Sequence, residues 1–414
     1  MGPARRHTLL IFSQTFVPDP AAVGQHVADV AIAMARRGHR VIVYAADSGY
    51  EDSTHSYPRR ENLQGVEVRR LPLASFGKSS IPLRVAGTFL FMLQCLFAGL
   101  FTRRLDGIFF STSPPLIGFI ASIIHIVRDV PIAYWAMDLN PDQLIALRKI
   151  SSTGLIADFL ENINRFILRE SALVIALDRF MADRLTSRFE LPGQLLVLPP
   201  WSHEEQMELP ADHQMNPFRA RHDLDGKFVV MYSGNHSPSN PLTTLLDAAV
   251  RLRDDEEIVF LFVGGGSGKR QVERYVFDHQ LRNVISLPYQ PLTDLGDSLS
   301  AADVHVVALG EAMVGIVHPC KIYGAMTVAR PILYLGPKPS HIGDLLDSAE
   351  IGVHVVHGDV DGAVSALLQL RQKDAAELRE MGTAGERILR ERHGQEMLRD
   401  RLCAALEVSL GLSD

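Results

Sequence analysis

The stretch from Leu309 to Gly336 constrains this chain most. An apolar run, Val304 to Leu309, leads through a glycine-containing loop to a small-residue segment, Pro319 to Val328. Pro331 and a second apolar run, Ile332 to Leu335, follow. This is strand, loop, helix, strand: a βαβ unit, which calls for a parallel sheet with helices on its faces. Proline is tolerated in a first helical turn, so the helix is expected to open near Pro319. Lys321 then stands at a helix N-terminus, where free N–H groups and the dipole already favour an anion. Either a phosphate lies between them or the lysine is simply solvated.

The same alternation runs along the chain. In the first half, strands are expected at Thr8–Ser13, Arg40–Ala46, Gly65–Leu71, Asp106–Ser111, Pro131–Ala136, Ala172–Leu177 and Gln194–Leu198. Helices are expected at Gly24–Arg37, where Val27, Val30, Ala31 and Met34 share a face, and at Leu155–Arg169 and Arg179–Arg188. No GxGxxG follows the first strand, so this is not a dinucleotide fingerprint. Gly24 lets the backbone come close to a ligand, and His26 either faces that ligand or lies on the surface. Asp138 follows a strand end, where open α/β sheets bind ligands. It is a candidate acid, base or hydroxyl acceptor, or else a cap for a helix near Pro141.

Two apolar stretches stand out, Gly87–Phe101 and Leu116–Val127. The first is shorter than the ~20 residues that cross a bilayer. It reads either as a helix buried between sheet and neighbours or as an amphipathic helix resting on an anionic membrane. Lys78, Arg84, Arg103 and Arg104 flank it.

Pro199 to Asp225 has little periodicity and several prolines, which makes it the expected domain boundary. Strands then return at Lys227–Ser233, Ile258–Val263, Val284–Leu287, Asp303–Leu309 and Gly352–Val356. Helices are expected at Pro241–Arg253, Arg270–His279, Leu292–Ala301 and Met397–Leu410. Two strand ends are glycine-rich: Ser233-Gly234-Asn235-His236, and Gly264-Gly265-Gly266-Ser267-Gly268-Lys269. Their amides can cradle phosphate. Arg270 stands where a P-loop needs Ser or Thr, so GGGSGK is not that motif. Two lysines, Lys269 and Lys321, and two glycine-rich turns on one sheet fit a diphosphate.

Composition sets the outer limits. At 414 residues the chain is long enough for two domains, and 47% apolar with 21% charged residues describes a globular protein. A net charge of -7 argues against a nucleic-acid binder. Cys95, Cys320 and Cys403 are widely spaced, which points to a reducing compartment and no structural zinc. No HExxH, metal-ligand histidine spacing or GxSxG elbow occurs. The short apolar run after Met1 reads as a first strand, not a signal peptide.

With these segments in view, the chain resembles the GT-B glycosyltransferases of family 4 over nearly its whole length. FVPDPAAVGQHVADVAIAMARRGHRVIVYAADSGY resembles the opening of the WcaI- and WbuB-like members, which build bacterial surface polysaccharides. YSGNHSPSNPLTTLLDAA, FVGGGSGK and HPCKIYGAMTVARPILYLG resemble that subgroup's later motifs.

The resemblance implies an α/β fold of two Rossmann-like domains facing a cleft. Residues 1–200 would form an acceptor domain and 201–395 a nucleotide-sugar donor domain, with a last helix, 396–414, crossing back. It implies a retaining, metal-independent hexosyltransferase without cofactor, using a UDP-sugar and a lipid-linked or polysaccharide acceptor. The expected place of work is the cytoplasm, at the inner face of the membrane, and the apolar run with its flanking charges makes residues 81–104 the expected contact. Lys269 and Lys321 would neutralise the diphosphate. Gly234, Asn235 and His236 would add backbone amides, with Gly264, Gly265 and Gly266 beside them. Gly24, Gln25 and His26 would close from the other domain. Glu311, Gly315, Ile316, Cys320, Ile322 and Tyr323 complete the expected donor site.

The chain departs from the family pattern in places. The Glu-x7-Glu positions hold Ile316 and Gly324, with Glu311 out of register. Asn235 and Asn240 lie where an Arg and Lys pair is common, and Met137 replaces a histidine. A weakly active homologue serving as a scaffold, and an enzyme with a soluble acceptor, are the alternatives.

Overall fold

The computed structural model describes residues 6–19, 21–49, 56–74, 81–203, 207–209, 213 and 215–413. Lys78 and part of the linker lie outside them. The chain divides into two compact units, residues 1–200 with 396–414, and residues 201–395.

The first unit opens with β1 (Thr8–Phe12), buried at every position. A strand apolar throughout suits the middle of a parallel sheet covered on both faces. α1 (Ala22–Arg36) buries Val27, Val30, Ala31 and Met34, the face that the spacing predicts. It stops where Gly38 takes a φ of +98°. Then come β2 (Arg40–Ala46), β3 (Arg60–Leu63), β4 (Val66–Leu71), α2 (Ile81–Phe101), β5 (Gly107–Phe110), α3 (Ile117–Arg128) and β6 (Ile132–Ala136). α4 (Asp142–Ala146), α5 (Leu155–Glu170), β7 (Leu173–Ala176), α6 (Arg179–Arg188) and β8 (Gln194–Val197) follow. The sheet order is β3-β4-β2-β1-β5-β6-β7-β8, parallel except for β3.

α2 differs from both sequence expectations in part. It has 21 residues, longer than the apolar core of its sequence suggested. Phe91 and Cys95 join the core that contains Leu10, Phe110 and Ile124. Gly99 lies so close to α3 that a Cβ would sit 2.3 Å from Ile124 Cδ1. Only 22% of its most apolar window is buried, so it is not a buried core helix.

The second unit contains α7 (Pro217–Arg221), β9 (Phe228–Ser233), α8 (Thr243–Arg251), β10 (Ile258–Val263), α9 (Lys269–His279), β11 (Val284–Leu287) and α10 (Leu295–Ser300). These are followed by β12 (Val304–Ala308), α11 (Lys321–Thr327), β13 (Ile332–Leu335), α12 (His341–Ser348), β14 (Gly352–Val355), α13 (Val360–Gln372) and α14 (Ala375–Arg392). Its sheet runs β11-β10-β9-β12-β13-β14 and every pairing is parallel. The order reverses between β9 and β12, the kind of switch point where doubly wound sheets bind ligands.

The last helix, α15 (Gln395–Ser409), packs on the first unit. It buries Leu398, Leu402 and Leu406. Leu410 fills the space beside Gly107, 3.2 Å from where a Cβ would stand.

Candidate functional site

In the second unit, the turns after β9 and β10 lock together. Gly234 and Gly264 have φ of +122° and +132°, and a Cβ on Gly264 would lie 2.1 Å from the Gly234 carbonyl oxygen. Only glycine permits both the backbone angle and that approach. His236 N donates to Gly265 O at 2.7 Å, and Gly268 N to His236 O at 2.8 Å. These bonds correct the expected roles of several amides. Gly234, His236 and Gly264 spend their N–H groups on Val263, Gly265 and Leu287 carbonyls. The amides of Asn235, Gly265 and Gly266 make no bond among the described residues, so they are the ones left for a ligand.

The two lysines differ in kind. Lys269 begins α9 and donates its ammonium to the Gly264 and Leu287 carbonyls, tying together the ends of β10 and β11. It therefore braces the turn and contributes its charge from behind. Lys321 begins α11, two residues later than the proline suggested. Its Nζ lies 5.3 Å from the Tyr232 ring centroid. Oriented so that its nitrogen donates to the Ala308 carbonyl, the Asn240 side chain accepts from Lys321 Nζ at 3.0 Å. Its aliphatic stem rests on Gly234, where a Cβ would meet Cε at 2.6 Å. No carboxylate among the described residues pairs with it. Burial pushes its pKa down to about 8. Both ammonium groups bear on His236, whose pKa falls mainly through burial and further through Lys269 and Lys321. The two cations thus flank one pair of turns.

In the first unit, Asp138 follows β6 and lines a cavity of about 270 Å³. Phe110, Tyr134, Leu144 and Ile167 form its apolar wall, with Thr112 and Gln143 as further polar groups. Burial raises the Asp138 pKa to about 7. Its carboxylate has no hydrogen bond among the described residues, so it caps no helix. Asp142 nearby is the contrast, held by Arg184 at 2.7 Å and by Arg188.

Residues 21–201 match the glycosyl transferase 4-like domain family. Over 377 residues the chain is 24% identical to the putative colanic acid biosynthesis glycosyl transferase WcaI of Escherichia coli, covering 87% of this chain and 91% of that one. It is also 24% identical over 250 residues to the probable glycosyltransferase WbjE of Pseudomonas aeruginosa, with 60% of this chain matched to 62% of that protein's length. The first unit thus carries a glycosyl transferase 4-like domain, and the chain is similar to glycosyltransferases over most of its length. Its fold is GT-B. Sucrose-phosphate synthase from Thermosynechococcus elongatus superposes with a TM-score of 0.76 at 16% identity, covering 99% and 100% of the two chains. HepE from Anabaena, solved with UDP-glucose, superposes at 0.69 and 15% identity, covering 97% and 99%.

The other expected site residues divide between buried and exposed positions. Ile316 and Ile322 are buried in the core, so their side chains cannot reach a donor. Tyr323 is buried too, its hydroxyl 2.9 Å from His318 Nε2 and 3.1 Å from His341 Nε2. Glu311 and Cys320 are exposed on the segment before α11, and Gly315, at φ +68°, turns that segment. Gly24 closes on its own chain: a Cβ would lie 3.0 Å from Phe16 N. His26 is buried, its ring edge-on to Trp135 at 6.1 Å. Gln25, beside it on α1, is half-buried. Tyr232 was missed because it lies inside an apolar strand. Tyr289 was missed because it follows β11 without a motif. Its exposed ring rests against Gly265.

Proposed function

We propose that this transferase moves a sugar, with retention of configuration, from a UDP-sugar to a lipid-linked or polysaccharide acceptor in surface-glycan synthesis. One observation carries the donor side: Lys321 lies against the Gly234 turn at a sheet switch point, beside a turn pair with unspent amides, and no carboxylate among the described residues pairs with it. A diphosphate would satisfy both kinds of group, and Tyr289 offers a face for the base. When the sugar C1–oxygen bond breaks, its electron pair passes to the diphosphate. Preorganised cations and amides stabilise that charge, typically the largest catalytic contribution. The acceptor oxygen bonds to C1 on the same face, and its proton goes to a departing phosphate oxygen. No metal or protein base enters this scheme.

On the acceptor side, Asp138 in its apolar recess would orient a hydroxyl. The exposed face of α2 would rest on the membrane that holds the acceptor lipid. On this reading the enzyme works at the cytoplasmic membrane surface. The similarity to WcaI, a putative colanic acid biosynthesis glycosyl transferase, supports the glycan class.

The test is Lys321→Ala with a panel of nucleotide sugars. Turnover is expected to fall by a factor of about 10²–10³, the scale of one preorganised charge contact, with the fold intact by circular dichroism. Near-normal transfer by the folded variant would remove Lys321 from the mechanism. Ile316, buried at a position where the family pattern expects an acid, favours a second reading: a homologue that binds nucleotide without turnover. A thermal shift with UDP in the absence of donor hydrolysis or transfer would select it.

A further inference from the structure

α2 carries two stripes, two residues out of step. Gly87, Phe91, Cys95 and Gly99 face the core. Val85, Phe89, Leu93, Phe97 and Phe101 recur every four residues on the opposite face, exposed from 38% at Leu93 to 78% at Phe101. A monomer surface rarely leaves such a continuous apolar strip in water. The buried stripe holds the helix to the first unit, so α2 can lie on a bilayer but not cross it.

The outer stripe ends at an open recess of about 390 Å³. Arg40, Tyr44, Arg69 and Arg103 line it, together with Phe101, the last residue of the stripe. Arg40 and Arg69 share a single carboxylate, Glu67, at 2.7 and 2.9 Å. Arg69 also donates to the Tyr44 hydroxyl at 3.1 Å. Arg103 is exposed, and no described carboxylate pairs with it. Three guanidinium groups against one carboxylate leave the recess positive, in a chain whose net charge is -7.

We infer that this recess seats the phosphate of an anionic phospholipid headgroup while the α2 stripe enters the apolar edge of the same leaflet. Guanidinium forks match phosphate oxygens in pairs. Stable attachment of a peripheral protein takes two signals, apolar insertion and charge. Here both meet at Phe101. A free soluble phosphate would leave the stripe without a role, which is why the occupant is a lipid in a bilayer. This rests on the membrane contact proposed above and adds selectivity for headgroup charge.

The test is flotation of the full-length protein with two kinds of vesicle: phosphatidylcholine alone, and equal parts phosphatidylcholine and phosphatidylglycerol. Binding is expected to favour the mixed vesicles. Arg103→Gln should lose about fivefold there, the effect of one basic side chain near an anionic surface, with no change on phosphatidylcholine. Phe97→Ser with Phe101→Ser should weaken both. A parental circular dichroism spectrum and melting curve show that each variant is folded. Equal binding to the two vesicle types, or an Arg103→Gln variant that binds mixed vesicles as well as the parent, overturns the headgroup site and leaves the apolar contact standing. No flotation with either vesicle overturns the membrane contact itself.

Discussion

Burial penalises the charged form of Lys321 and of Asp138, with opposite consequences for proton binding. Lys321 titrates near 8, well below an ordinary lysine. The folded chain releases this proton more readily than the unfolded one, so the lysine makes folding more favourable as pH rises from about 8 towards the ordinary value. Donor affinity should run the other way. A diphosphate needs the ammonium, so UDP binding by calorimetry is expected to weaken about tenfold per pH unit once pH passes about 8. Affinity that stays flat through that range would mean the phosphate sits elsewhere. Asp138 titrates near 7, above an ordinary carboxylate. The folded state keeps this proton longer, so the acid lowers stability as pH rises to about 7, and the cost then levels off. The gap caps the effect at about 4 kcal/mol, and water in the recess reduces it. Asp138→Asn should therefore be stabilised by about 1–3 kcal/mol above pH 7, with the gain vanishing in acid. Denaturant midpoints measured across that range check the prediction, and a gain independent of pH would contradict it.

At the level of elements, the repeating apolar runs made every strand but β3 legible, and most of the longer helices, whereas α4, α7, α12, α13 and α14 received no range of their own. β3 escaped because Arg60–Leu63 is short, charged and on an edge, exposed on alternate residues. The two faces of α2 were not legible, since its apolar residues surround the helix and only α3 and the sheet decide which stripe is covered. The glycine turns were legible as turns, but the orientation of their amides was not. The carbonyl that holds Lys269, on Leu287, comes from a strand 18 residues away, so a local motif reads the lysine as ligand-facing. The placement of Lys321 also depends on a distant element. α14 crosses the end of α11 so closely that a Cβ on Gly382 would lie 1.9 Å from the Ala329 carbonyl oxygen. That oxygen belongs to backbone and cannot rotate away. Gly382→Ala should push α14 off α11 and cost about 1–3 kcal/mol, the usual range for overpacking. It should weaken UDP binding although it lies outside the glycine-rich turns. A variant with parental melting temperature and UDP affinity would show that α14 does not hold α11 in place.

Across the whole molecule, α15 is the far end of the chain working as part of the first unit. Two kinds of contact hold it. Arg37 pairs with Glu407 at 2.9 Å, and His39 lies 3.0 Å from the same carboxylate. Leu398, Leu402, Leu406 and Leu410 are each no more than 2% exposed. A partly solvated ion pair contributes about 0–1 kcal/mol, whereas burying one leucine contributes about 1.5–3 kcal/mol. The leucines therefore dominate. Together they rival the about 5–15 kcal/mol by which a whole domain is stable. Glu407→Gln should melt within a few degrees of the parent. Removing residues 395–414 should instead leave the first unit unfolded or aggregated while the second keeps its UDP-induced thermal shift. Stepwise replacement of Leu402 and Leu406 by Ala places the intermediate cases, at about 2–5 kcal/mol each. If the shortened chain melted like the parent, the helix would be a surface attachment, and the first unit would close its core without it.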